Sequence, residues 1–303
     1  MKGRITVIRK LILTLTLCLS IIFSLSACAI HIKSNTPSID EDIDPDASVF
    51  LKFKAVGNEG YLVSSDNKSI TNISIPSSYN GKPVIGIAAG GFKNCTGLES
   101  IVIPDTVKTI GANAFWCCSA LTSVVFTGSV TQIGQYAFLG CTSLESVYIS
   151  SLSDWCNTEF LSYDATPMYH ASALYLNNEP ITTANIPDDV TVIHSFAFGY
   201  CDQLKQVRLS ENVRIVEKNA FISSESISVI VPKTVERIKE DAFSRCEQAK
   251  IYYEGTLSEY KKICKKTNNS TIYAYSETPP ADKGNYWYYG ENSETVIWSY
   301  SQR

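Results

Sequence analysis

The sequence predicts a repeat solenoid of the α/β class, a stack of about six 23-residue units with short parallel strands on one face. Three observations carry this. A phenylalanine returns at Phe92, Phe115, Phe138, Phe198, Phe221 and Phe243, with spacings of 23, 23, 60, 23 and 22. Other positions travel with it: Val eight residues before, Ile or Val five before, and Ala immediately before in five of the six units. Each unit is too small to bury its own apolar side, so neighbours must stack to share a core.

The elements follow in chain order. Residues 1–27 open with "MKGRITVIRK" and an apolar run ending in small residues, which reads as an export signal rather than a spanning helix. Leu25-Ser26-Ala27-Cys28 resembles the bacterial lipobox. That resemblance implies cleavage before Cys28 and a diacylglycerol on its thiol. Residues 28–48 are polar and acidic, with two prolines, and read as a flexible, self-repelling tether. The acids of that stretch lack the glycine and distal glutamate of a calcium loop. Residues 49–83 read as an N-terminal β cap, with "FLKFKAVGNEGYLV" forming a hairpin across "GNEG".

The solenoid proper spans 84–265. After each phenylalanine comes Cys-x-x-Leu-x-x-Ile-x-Ile-Pro, clearest in "CTGLESIVIP". The alternation "SIVI" is a short strand of period two, and the proline ends it because it has no N–H to donate. Stacked units lie about 4.8 Å apart, so the phenylalanines form an aromatic spine. Cys95, Cys118, Cys141, Cys201 and Cys246 share one slot, which Ser224 fills in the fifth unit. A slot that accepts serine is a small, weakly polar, buried position rather than a disulfide or metal ladder.

This pattern resembles the BspA-type bacterial leucine-rich repeats, over about residues 70–255. The resemblance implies a curved leucine-rich-repeat stack, a place among bacterial surface proteins and a role in adhesion or protein binding. It supplies no catalytic residues.

The 60-residue gap holds an insert near 151–183. Ser151 with Asp154, and Thr256 with Glu259, are helix-start signatures at equivalent distances from their markers. The first short helix leads to a hairpin turning at "NNEP" and re-entering the repeat at Ile186-Pro187. Trp155 is expected to pack on the solenoid. Residues 266–303, rich in Tyr and Trp, read as a β-rich C-terminal cap.

Function is constrained mostly by exclusion. Once Lys2, Arg4, Arg9 and Lys10 leave with the signal, 22 of the 26 basic residues face 30 acids, a net charge of −8. That disfavours nucleic acid, and the N-terminal lipid is left as the expected membrane contact. No nucleophile elbow, zinc-protease motif or phosphate loop is present, so an enzyme, a metal and a cofactor are not expected. Cys156 and Cys264 lie outside the repeat slot, with exposure left open. The expected site is the outer sheet face. There Val102, Val125, Tyr148, Arg208 and Ile230 form a mostly apolar outward column centred on Tyr148 and Arg208. Such a stripe suits an extracellular protein or peptide partner. The alternatives are a structural envelope lipoprotein, or a glycan or cell-wall binder that uses the C-terminal aromatic residues.

Overall fold

The computed structural model describes residues 47–266 and 270–299. The signal segment, Cys28 and nearly all of the tether lie outside the described residues. The described residues fall within one compact unit. Among them no helix is long and apolar enough to cross a membrane.

The chain winds into a parallel β-solenoid of about nine coils. One face carries the longer strands. Asn72–Ser74, Ser100–Ile103, Ser123–Phe126, Ser146–Ile149 and Ala173–Leu176 pair in parallel in that order. A second sheet on this face runs through Thr183–Asn185, Gln206–Arg208, Ser228–Val231, Lys250–Tyr253 and Thr271–Tyr275. The other face carries shorter strands, such as Thr109–Ile110 against Gln132–Ile133. Register is strict. Ile101, Val124, Val147 and Leu174 align as one inward column, all 4% exposed or less. At the N-terminus Lys52–Val56 and Gly60–Ser64 form the expected antiparallel hairpin, which joins the short-strand sheet.

The α/β class needs correction: the fold is mostly β. Only Leu152–Cys156 and Leu257–Ile263 are α-helical among the described residues. The reason lies beside the phenylalanine. Two residues before it and two after it the backbone turns left-handed, at Asn113 (φ 56°) and Cys117 (φ 59°) around Phe115, and at Asn219 (φ 60°) and Ser223 (φ 57°) around Phe221. A helix cannot pass through such residues. The segment is instead a tight double turn, with the Cys118 N–H bonded to the Phe115 carbonyl at 3.0 Å. Neighbouring turns are also laddered, as in Phe92 N–H to the Ala114 carbonyl at 2.7 Å and Phe115 N–H to Ala137 at 2.8 Å.

The aromatic spine forms as two runs. Ring centroids lie 5.6 Å apart for Phe92–Phe115 and 5.0 Å for Phe115–Phe138. They are 5.5 Å apart for Phe198–Phe221 and 5.0 Å for Phe221–Phe243, all stacked within 20° of parallel. Between the runs the 60-residue gap contains a further, irregular coil. Glu159–Phe160 pairs with Gln132–Ile133, which puts Phe160 in the Ile133 column. The Phe138 N–H donates to the Asp164 carbonyl at 3.1 Å, as Phe115 does to Ala137. Ala165 therefore stands in the phenylalanine slot, Met168 in the cysteine slot and Ala171 in the leucine slot. After Leu176, Asn177 and Asn178 are both left-handed (φ 51° and 68°) and close a two-residue hairpin onto Glu179–Pro180. The sheets do not continue across this point, so a seam separates the coil of Ala165 from the coil of Phe198.

The seam is keyed by the first helix. Its start is capped by the Ser151 hydroxyl, which accepts from the Asp154 N–H at 3.1 Å. The helix buries Trp155, whose Nε1 donates to the Ala197 carbonyl at 2.7 Å. Ser153 adds a bond to Asp189 at 2.6 Å. The second helix carries a full capping box between Thr256 and Glu259. One apolar core runs through the whole stack, from Leu51 to Cys264.

Candidate functional site

Strand alternation sends Val102, Val125, Tyr148 and Tyr175 outward in register. Arg208, Ile230, Tyr252 and Tyr273 occupy the same column of the second sheet. Tyr148 and Arg208 are therefore on different sheets. Each sheet stacks a tyrosine pair, Tyr148 on Tyr175 at 4.7 Å and Tyr252 on Tyr273 at 5.1 Å. Val102 and Val125 are half-buried, while Tyr148 is 7% exposed and Ile230 only 1%. The expected continuous exposed stripe is thus corrected: Val102 and Val125 are half-buried, Tyr148 at its expected centre is buried, and Ile230 is closed over.

The closure comes from the chain's own C-terminus. Tyr286–Tyr289 extends the second sheet and pairs with Thr295–Ile297 in an antiparallel hairpin. Trp287 is fully buried against Ile230 and Tyr252, and its Nε1 donates to the Tyr253 carbonyl at 3.0 Å. Arg208 donates from Nη1 to the Tyr289 hydroxyl at 2.7 Å and from Nη2 to the Ser293 carbonyl at 3.1 Å. The Tyr289 hydroxyl in turn bonds the Glu254 carboxylate. Burial and that carboxylate raise the Tyr289 hydroxyl well above the usual phenol range. Arg208 is committed within the protein, a role that local alternation could not reveal because its partner lies 81 residues away.

The repeat cysteines have a specific task. Cys118, Cys141 and Cys246 each donate to the carbonyl of the phenylalanine one coil earlier: Phe92 at 3.0 Å, Phe115 at 3.2 Å and Phe221 at 2.8 Å. Ser224 does the same to Phe198 at 2.7 Å, which explains the exchange of serine for cysteine. All eight described cysteines are unpaired. Burial pushes the Cys118 and Cys201 thiols up to about 12 and raises Cys141 and Cys156 further. Cys156 and Cys264, whose exposure the sequence left open, are both buried. Buried neutral thiols are poor nucleophiles. Among the described residues no group of His, Cys, Asp and Glu is arranged to hold a metal ion.

A second surface lies on the turn side of the seam, where an opening of about 440 Å³ separates the irregular coil from the coils of Phe198 and Phe221. Tyr169 and His170 line one wall, and Tyr200, Asp202, Gln203 and Glu225 line the other. Tyr169 packs edge-to-face on Tyr200 at 5.1 Å and on Tyr163 at 5.1 Å. Tyr200 has φ 63°, in a slot that Asn94, Gly140 and Ser223 fill elsewhere. Sequence reasoning missed this surface because half of it belongs to a coil without the repeat's residues. The one legible signal was a tyrosine at a turn position.

The fold defines a β-solenoid repeat protein with capped ends. The chain belongs to the BspA-type leucine-rich-repeat family: that family's repeat model matches in six copies, over residues 64–165 and 170–274. Among solved structures, it is similar to a leucine-rich cell surface protein from Faecalibacterium prausnitzii, at 24% identity and TM-score 0.45, covering 82% of this chain and 59% of that one. It is also similar to a leucine-rich repeat protein from Bacteroides ovatus, at 20% identity and TM-score 0.46, covering 78% of this chain and 62% of that one. A T. pallidum leucine-rich repeat protein matches at 19% identity and TM-score 0.41, covering 75% of this chain and 85% of that one. The chain thus spans less than two thirds of the length of the first two. No curated protein matches it.

Proposed function

We propose that this chain is a non-catalytic binding module of the bacterial surface, exported and held at the membrane by lipid on Cys28. Its partner on the long-strand face is an extracellular protein or peptide. Membership of a leucine-rich-repeat family supports the binding role. One observation carries the choice of face. In the C-terminal half this face already accepts a polypeptide, with Trp287 set against Tyr252 and Ile230. The N-terminal half repeats the layout, with Tyr148 stacked on Tyr175 beside the half-buried Val102 and Val125. A partner segment carrying an aromatic residue fits there as Trp287 fits its own site. Arg208 and Ile230 hold the C-terminal hairpin on this reading and bind the partner only if that hairpin leaves.

The test uses the full-length chain in detergent against a displayed peptide library. The expected selection is rich in Trp and Tyr, and its binding falls about tenfold or more in Val125→Glu with the circular dichroism spectrum unchanged. Equal binding by a folded Val125→Glu variant removes this face from consideration. The alternative reading, a glycan or cell-wall platform at the C-terminal hairpin, loses the fully buried Trp287 and would rest on the half-buried Tyr286, Tyr288 and Trp298.

A further inference from the structure

We propose that the cleft at the seam is a saccharide site that takes a neutral sugar of one or two rings. The proposal rests on the chain being a binding module, but on a surface separate from the long-strand face. The cleft exists because regular stacking fails between the coils of Ala165 and Phe198. Its volume of about 440 Å³ falls in the roughly 300–1,000 Å³ range of small-molecule sites.

Tyr169 and Tyr200 both line the cleft and pack edge-to-face on each other, and Tyr163 braces Tyr169 from outside the lining, leaving Tyr169 37% exposed. A rigid, partly exposed aromatic surface is a stacking platform for the apolar face of a sugar ring. On the wall that carries Tyr200, the Asp202 and Glu225 carboxylates can accept from hydroxyls, and the Gln203 amide can donate and accept. His170 also lines the cleft, and its Nε2 is buried without a hydrogen-bond partner among the described residues. Burial lowers the His170 pKa, so the ring is neutral near pH 7 and can accept or donate according to tautomer.

The chemistry discriminates between ligand classes. The two carboxylates repel an anion. A cation box needs open ring faces converging on one point. Here Tyr169 and Tyr200 meet each other edge-to-face and do not converge on one point, and hydrogen-bonding side chains flank Tyr200. That layout suits a flat, polyhydroxylated ring.

The experiment is ligand-observed NMR on the full-length chain. The probes are glucose, galactose, N-acetylglucosamine, cellobiose and chitobiose, with arginine ethyl ester as the cationic control. At least one saccharide is expected to bind with a millimolar Kd. Its affinity should fall about tenfold or more in Tyr169→Ala and in the isosteric double variant Asp202→Asn, Glu225→Gln, and stay unchanged in Val125→Glu. Val125→Glu separates this site from the sheet face, so either can fail alone. The proposal is overturned if no saccharide binds, if both cleft variants bind as the parent does, or if arginine ethyl ester binds at the cleft in preference to every sugar.

Discussion

Trp155 Nε1 donates to the Ala197 carbonyl at 2.7 Å, across a seam where the sheets of the stack do not continue. In regular coils that carbonyl accepts from the residue in the phenylalanine slot of the preceding coil, as Ala220 accepts from Phe198 at 2.8 Å. Ala165 holds that slot below Ala197, and its N–H turns back to Ser162 instead. An indole thus replaces a peptide N–H, and two half-stacks share one core.

The phenylalanine spine should be the main brace. Phe115 is fully buried between Phe92 and Phe138. Phe115→Ala is expected to cost about 3–5 kcal/mol, measured by urea unfolding of the full chain. A shift no larger than that of the exposed control Glu99→Ala contradicts this.

The cysteine slot should tolerate serine better than valine. Cys141→Ser keeps a donor to the Phe115 carbonyl, as Ser224 does to Phe198, and should cost within about 1 kcal/mol. Cys141→Val loses the donor and adds a branch, for about 1–3 kcal/mol more. Before denaturation a thiol reagent should label the half-buried Cys117 but not Cys95, Cys118 or Cys141. The pH dependence has a definite sign. Burial makes Cys118 hold its proton up to about 12 when folded, against 9.0 for an ordinary thiol. The stability tied to it is full below pH 9 and falls as pH rises toward 12, where the unfolded chain has already released that proton.

The C-terminal hairpin should depend on Arg208. Arg208→Ala leaves Tyr289 and Glu254 without their cation and should loosen the hairpin by about 1–2 kcal/mol. A red shift of tryptophan emission and faster proteolysis near residues 276–285 would report it. An unchanged spectrum and cleavage rate would show that Trp287 alone holds the hairpin.

Lipidation of Cys28 makes a separate prediction. Cys28→Ser should leave the precursor uncleaved or release the protein from membranes, as read by fractionation and intact mass. Unchanged fractionation and mass contradict the lipid anchor.

The stack was legible because its signal is periodic. The phenylalanine, cysteine and strand columns each recur at fixed offsets, and register in the structure follows them. The α/β class overstates the helix: the two helix starts at Ser151 and Thr256 open helices of only five and seven residues, and left-handed Asn113 and Cys117 make the segment around Phe115 a double turn. Non-glycine residues in left-handed conformation carry little sequence signal, Asn apart. The irregular coil was hidden because Ala165, Met168 and Ala171 replace the residues that define the repeat. The outward column was placed on the correct face, but the burial of Ile230 depends on a hairpin far along the chain. Alternation speaks only to the local strand.

The central claim is that Trp155 joins two half-solenoids into one cooperative stack. Trp155→Phe keeps most of the apolar bulk and removes only the donor to Ala197. Urea unfolding of the full chain, followed by amide exchange, should show a loss of about 1–3 kcal/mol. Protection should fall first at the seam, around Thr183–Asn185 and Phe196–Phe198, ahead of the sheets on either side. A variant with the parent's midpoint and uniform protection across the seam would contradict the account.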